Sequence, residues 1–301
     1  MNLLNIILLF IGWSVFLVVA GLFVLGIERK IAARLQWRVG PPIWQNFTDV
    51  IKLSGKEILI PEKANKLVFI IAPFAAFLSA LVSGVIIILS LLYGKIMPGD
   101  LILLIYLLTV PSLCLFLGAS ASGNILASVG ASREIKLVLA YELPFIAAMI
   151  LVIFKSGFST SLYNIIKIQK ETGINFLSVA GFLGFFIAFL GIIGKLGIVP
   201  FDIAEAETEI AGGVLVEYSG MLLGFYKMTR AILFIVLPVL LMVCFLGGFN
   251  GWVGLLKYIV IFVLLVLIKN TNPRVRIDQA LRFYWGFTTI IIFISFLFLR
   301  V

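Results

Sequence analysis

The stretch "PFDIAEAETEIAGGVLVEYSG", residues 200–220, decides how this chain reads. It holds Asp202, Glu205, Glu207, Glu209 and Glu217, five of the fourteen acidic residues, and no lysine or arginine. An apolar run precedes it at 176–196 and another follows at 219–246, each about the 20 residues needed to cross a bilayer. Taken as a helix after Pro200, Asp202, Glu205 and Glu209 fall on one face at i, i+3 and i+7, with Glu207 pointing elsewhere. Like charges on one face destabilise a helix unless some are protonated or paired, which is one way to build coupled titrating sites. Gly212 and Gly213 then break the helix. A solvated acidic loop, or a docking patch for a basic partner, is the alternative; the apolar flanks and the missing lysines weigh against simple solvation.

Working outward, the 301 residues are 62% hydrophobic and 12% charged, with mean hydropathy +1.22. No water-soluble domain covers that much apolar surface with so few polar groups, so the chain reads as an all-α integral membrane protein. Its eight expected spans cover 3–27, 67–92, 101–119, 134–154, 176–196, 219–246, 252–268 and 283–299, a single transmembrane domain over 1–301. The first run is too long for a signal-peptide core and lacks a basic start, so it reads as a membrane helix. Net charge is +9, which in this composition reads as positive cytoplasmic loops and not as nucleic-acid binding. With eight alternating spans, most of the 23 basic residues share one side, the acidic stretch lies there too, and both termini lie outside. In the first loop, Gly40-Pro41-Pro42 is followed by "IWQNFTDVIKLSGKEIL" (43–59), whose apolar positions 43, 44, 47, 50, 51 and 58 approximate a helical stripe. It reads as a short amphipathic helix on the cytoplasmic side.

There is no histidine, and Cys114 and Cys244 both lie inside apolar runs. That donor set builds neither an iron–sulfur cluster nor a zinc or nickel site, so any electrons run through a partner. Charges inside spans are costly and mark pathways or pairs. Glu142 lies in "LVLAYELPFIAAM", two residues before Pro144, which leaves a helix carbonyl without its N–H partner. Glu142 reads as a proton relay, or as half of an ion pair with Lys136 or with a group on another helix. Lys195, Lys227 and Arg230 are the expected counter-charges at the ends of spans five and six, unless each only snorkels to the interface.

Five motifs, "ERKIAARLQWRVGPP" (28–42), "DVIKLSGKEILIPEKANK" (49–66), "AYELP" (140–144), the 200–220 stretch and "NPRVRIDQALRFYW" (272–285), resemble in order and spacing the H-type membrane subunit of respiratory complex I. That subunit joins the redox arm to the membrane arm. The first loop, "RVGPPIWQNFTD", has Pro42 where the complex I branch has Asn and is shorter. In this it is similar to the counterpart in energy-converting membrane-bound nickel–iron hydrogenases and archaeal sulfur-reducing complexes. The resemblance implies a non-catalytic subunit that couples electron transfer to proton translocation. It implies a proton pathway through Glu142, Asp202, Glu205, Glu207, Glu209 and Glu217, beside Lys136 and Lys195. It places contacts to the redox subunit at Arg29, Arg34, Arg38, Arg274, Arg276 and Asp278. Cofactors are expected in partners alone: a nickel–iron centre and iron–sulfur clusters in hydrogenase-like large and small subunits on the cytoplasmic side, fed by ferredoxin. Antiporter-like subunits are expected laterally. A quinone-site-forming subunit of complex I type remains an alternative, as do a purely structural anchor and an independent secondary transporter; the transporter predicts an internal repeat, and none is evident.

Overall fold

Backbone amides in a bilayer core find no water, so a chain this apolar satisfies them along its own helices. The computed structural model, which describes residues 3–94 and 99–300, is all-α, with no strand among the described residues. In chain order the helices are α1 (Leu3–Leu35), α2 (Gln45–Ser54), α3 (Lys66–Tyr93), α4 (Asp100–Ala121), α5 (Ile125–Lys155) and α6 (Leu162–Thr172). They continue with α7 (Val179–Lys195), the single turn α8 (Glu207–Ile210), α9 (Gly220–Phe245), α10 (Gly251–Thr271), α11 (Ile277–Arg282) and α12 (Thr289–Leu297). Among the described residues, seven helical segments are long and apolar enough to cross a membrane. The remaining expected span, the fifth, is α7, which is apolar but has only 17 residues. It stops at Lys195 because Gly197 turns back with φ +56°. Helix α5 starts nine residues before the expected 134, and the last span starts at Ile277 instead of 283. The amphipathic helix of the first loop is α2, shorter than its stripe; it buries Asn46 and Leu53 and leaves Ile51 exposed.

The acidic stretch departs most from expectation. It is not a helix through Asp202, Glu205 and Glu209: it turns through 201–206, makes the one turn α8, and breaks at Ala211, Gly212 and Gly213, whose φ values are +53°, +92° and +49°. One helix face would have held three like charges within two turns; the irregular path lets each carboxylate find its own arginine. The side chains of Glu207 and Thr208 lie outside the described ones, and with them the expectation for Glu207.

The chain divides into two compact units. The first comprises Met1–Ile88, Val110–Glu134 and Ala204–Val236. Its core joins Phe69, Ala72, Ala76, Cys114, Tyr218, Leu222 and Tyr226. Pro73 leaves the Phe69 carbonyl without its helical donor, and the Tyr218 hydroxyl donates to that carbonyl at 3.2 Å, with the two rings stacked 4.2 Å apart. Burial pushes the Tyr218 phenol up to about 12, so it stays a donor at neutral pH. The Tyr226 hydroxyl donates to the Cys114 carbonyl at 3.0 Å. A second cluster of small residues, Ala119, Ala127, Ala131, Ala204 and Val214, seats the acidic segment against the start of α5.

The second unit comprises Leu89–Thr109, Ile135–Ile203 and Leu237–Val301. In it α7 packs along α12. The buried amides of Gln169 and Asn175 donate to the carbonyls of Val243 (2.8 Å) and Cys244 (2.9 Å), which close the end of α9. A π-helical turn, Phe283–Thr288, links α11 to α12.

Gly118 tests the packing of the first unit. A β-carbon there would lie 2.1 Å from the Tyr218 hydroxyl and 2.8 Å from that of Tyr226. Gly118→Val forces both rings out and is expected to destabilise by about 1–3 kcal/mol, read as a lower thermal midpoint of the detergent-solubilised protein.

Candidate functional site

The second unit holds an ion pair inside its apolar core. Lys195 Nζ donates to Glu142 Oε2 at 2.5 Å, and the two side chains are only 2% and 14% exposed. Glycine brings them together. A β-carbon on Gly194 would lie 2.6 Å from Tyr141 Cδ1, and one on Gly191 would lie 3.0 Å from Phe145 Cβ. The bare face of α7 therefore sits on α5 where Tyr141, Glu142 and Phe145 project. Lys195 Nζ stands 4.8 Å from the Phe145 ring centre and 5.5 Å from that of Tyr141, positions in which the ring faces also stabilise a cation. It is the last residue of α7, where the helix dipole favours positive charge. Lys195 thus pairs and does not snorkel. Lys136, the other expected partner of Glu142, lies on α5 and does not fill that place. Glu142 Oε1 has no hydrogen-bond partner among the described residues, so the carboxylate is held on one side only. Helix α5 runs unbroken through Pro144.

Asp202 belongs to the same unit. Arg274 Nη2 donates to its Oδ2 at 2.9 Å, and one residue on, the Val275 amide donates to the Pro200 carbonyl at 3.1 Å. These bonds strap the start of the acidic stretch to the segment before α11. Arg274, expected at the redox-subunit contact, is therefore engaged within the chain.

The other acids lie in the first unit. Arg230, inside α9, donates to Glu205 Oε2 at 2.9 Å; Arg133, near the start of α5, donates to Glu209 Oε2 at 2.5 Å; Asn124 Nδ2 donates to Glu217 Oε1. Glu209 is 57% exposed and Glu205 26%, so the Glu209 pair is a surface contact and the Glu205 pair a half-sheltered one. Backbone closeness holds the segment in place: a β-carbon on Gly213 would lie 2.1 Å from the Ala204 carbonyl oxygen, and one on Gly130 would lie 2.8 Å from the Val214 nitrogen. Elsewhere in this unit Arg29 reaches Asp49 of α2 at 3.4 Å, while Arg34 and Arg38 are exposed. In the second unit Arg276 and Asp278 pair with each other at 3.3 Å, both exposed.

Sequence reasoning missed Arg133 and Asn124 as partners. They lie 76 and 93 positions from Glu209 and Glu217, and nothing local marks them. Among the described residues no group of three or more acidic, cysteine or histidine side chains could hold a metal ion.

The profile of the NADH dehydrogenase family matches residues 6–300. The chain belongs to that family. It is 34% identical to the H subunit of the NADH-quinone oxidoreductase of Anoxybacillus flavithermus, over 91% of its own length and 87% of the relative's. It is 32% identical to the corresponding protein of Carboxydothermus hydrogenoformans, which carries the same name, over 92% and 83%. Among solved structures it superposes with TM-score 0.88 and 28% identity on a chain of the membrane-bound sulfane sulfur reductase, an archaeal respiratory membrane complex, covering 98% of its own length and 99% of that chain. This NADH dehydrogenase family protein is thus a multi-pass, H-type membrane subunit like those of respiratory complexes.

The pair in its core makes an energetic prediction. Lys195→Met leaves a buried carboxylate without its cation and is expected to cost roughly 3–5 kcal/mol, while Lys195→Met combined with Glu142→Leu recovers most of it. Thermal midpoints of the single and double variants, compared with Glu142→Leu alone, measure the coupling.

Proposed function

We propose that this H-type subunit links the peripheral redox arm to the ion-translocating arm of a ferredoxin-driven membrane complex of the hydrogenase or sulfur-reducing type. One observation carries the choice of branch: the chain overlaps almost end to end with the sulfane sulfur reductase chain, whereas it covers only 87% and 83% of the two quinone-linked relatives. The short first loop supports the same branch. Higher identity to the proteins named for NADH and quinone favours the second reading, a subunit that forms a quinone site. In the first reading the nickel–iron or sulfur chemistry and the iron–sulfur clusters reside in soluble partner subunits on the cytoplasmic side, antiporter-like subunits lie laterally, both termini face outside a prokaryotic plasma membrane, and exposed Arg34, Arg38 and Arg276 meet the redox subunit.

The chain itself forms no redox bond. Its work is to hold protons at carboxylate oxygens. A redox step next door changes the charge beside the acidic segment and so alters the balance between each carboxylate's proton and its arginine. Asp202, strapped by Arg274, shares its unit with Glu142. A proton arriving at Glu142 weakens its bond to Lys195, and a departing one restores it, so the pair holds charge in alternate states within an apolar surround.

Glu142→Gln keeps the shape and removes the charge. In sealed vesicles carrying the assembled complex, electron transfer is expected to stay within about threefold of wild type while ions moved per electron fall by about tenfold or more. Undiminished transport at wild-type stoichiometry would sink the proposal. Soluble subunits that co-purify without a nickel-binding member, together with inhibition by quinone-site compounds, would decide for the quinone reading.

A further inference from the structure

Tyr284 is fully buried within the second unit, and three of its contacts each adjoin a charged group of that unit. Its ring lies 4.7 Å from that of Phe201, the residue before Asp202, at an interplanar angle of 44°. It meets the ring of Tyr141, the residue before Glu142, edge-on at 6.3 Å. Its hydroxyl donates to the Leu190 carbonyl at 2.9 Å, near the end of α7 before Lys195. A β-carbon on Gly194, the residue before Lys195, would lie 3.0 Å from that hydroxyl and 2.6 Å from Tyr141, so this corner is filled to contact. Tyr284 stands in the π turn Phe283–Thr288, whose extra residue sets the direction of the ring. Its carbonyl accepts the hydroxyls of Thr288 and Thr289, which hold the wide turn closed.

Resting on the reading that Glu142 carries protons, we infer that Tyr284 is a positioning residue that transmits displacement of the Asp202–Arg274 strap to the Glu142–Lys195 pair. Interiors packed to contact do not absorb small shifts; they pass them on. A movement of Phe201 that accompanies a change at Asp202 presses on the Tyr284 ring at 4.7 Å, nearer than the ring of Phe283 at 5.8 Å. The Tyr284 ring is pinned to α7 by its hydroxyl and abuts Tyr141 on α5, so the shift alters how α5 and α7 meet. The Glu142–Lys195 distance is the coordinate that changes. Tyr284 gives and takes no proton in this scheme.

The test uses the assembled complex in sealed vesicles, with electron transfer and ions moved per electron measured on the same preparation. Tyr284→Leu is expected to lower ions per electron by about threefold or more with electron transfer within about twofold of wild type, the size of effect seen for residues that couple two sites without touching a ligand. Tyr284→Phe, which keeps the ring and loses only the bond to the Leu190 carbonyl, is expected to give a ratio between those of Tyr284→Leu and wild type. A wild-type ratio in Tyr284→Leu overturns the inference, and so does an equal loss in Tyr284→Phe. Electron transfer and transport falling together, as a merely structural role predicts, also overturns it. Should Tyr284→Leu not assemble, Phe201→Leu, which removes the ring that meets Tyr284 at 4.7 Å, is read in its place: a threefold loss of ratio with electron transfer retained supports the inference and a wild-type ratio overturns it. If Glu142→Gln abolishes transport while Tyr284→Leu leaves it intact, this inference alone fails; if Glu142→Gln is silent, the reading beneath it fails.

Discussion

A charge taken out of water has to meet its opposite, and this chain is arranged around that requirement. Lys195 and Glu142 lie on different helices, 53 positions apart, and neither belongs by itself in an apolar core. Two glycines on α7 remove the side chains that would keep those helices apart. Two aromatic faces and the end of a helix dipole then favour the cation, and one carboxylate oxygen receives it. The second oxygen is left without a protein donor among the described residues.

The same requirement explains why the acidic stretch abandons the helix that its spacing invites. Helical geometry would have lined up Asp202, Glu205 and Glu209 on one face. A single turn followed by three left-handed residues sends each to its own arginine, Arg274, Arg230 and Arg133. The stretch passes from one compact unit to the other between Ile203 and Ala204, so Asp202 is grouped with Glu142 while Glu205, Glu209 and Glu217 are held by Arg230 inside α9, Arg133 near the start of α5 and Asn124 just before it.

Much of the architecture was legible in the residues. Apolar runs near 20 residues announced the spans, because lipid leaves the backbone no other partner. The Gly-Pro-Pro break and the stripe after it announced α2. Glu142 was legible as an anomaly, since a charge inside a span stands out against so apolar a background, and Lys195 only as a counter-charge at the end of a span. Errors fell where local rules compete with long-range contacts. The i, i+3, i+7 spacing of the acids obeys helix periodicity, yet charge repulsion and the close approach of Gly130 and Gly213 override it. Lys136 is nearer Glu142 in sequence, but six residues along a helix points it to another face, and Lys195 arrives from elsewhere.

Composition and hydropathy pattern alone determined that the chain is an all-helical membrane protein with a few costly charges, because burial of apolar length depends on residue type and not on arrangement. Tertiary structure alone decided which charge meets which, that Tyr284 packs between Phe201 and Tyr141, and that the acidic stretch is divided between two bodies. Those facts depend on distances of a few ångströms between residues far apart in the chain, and electrostatic and packing forces act through distance in space.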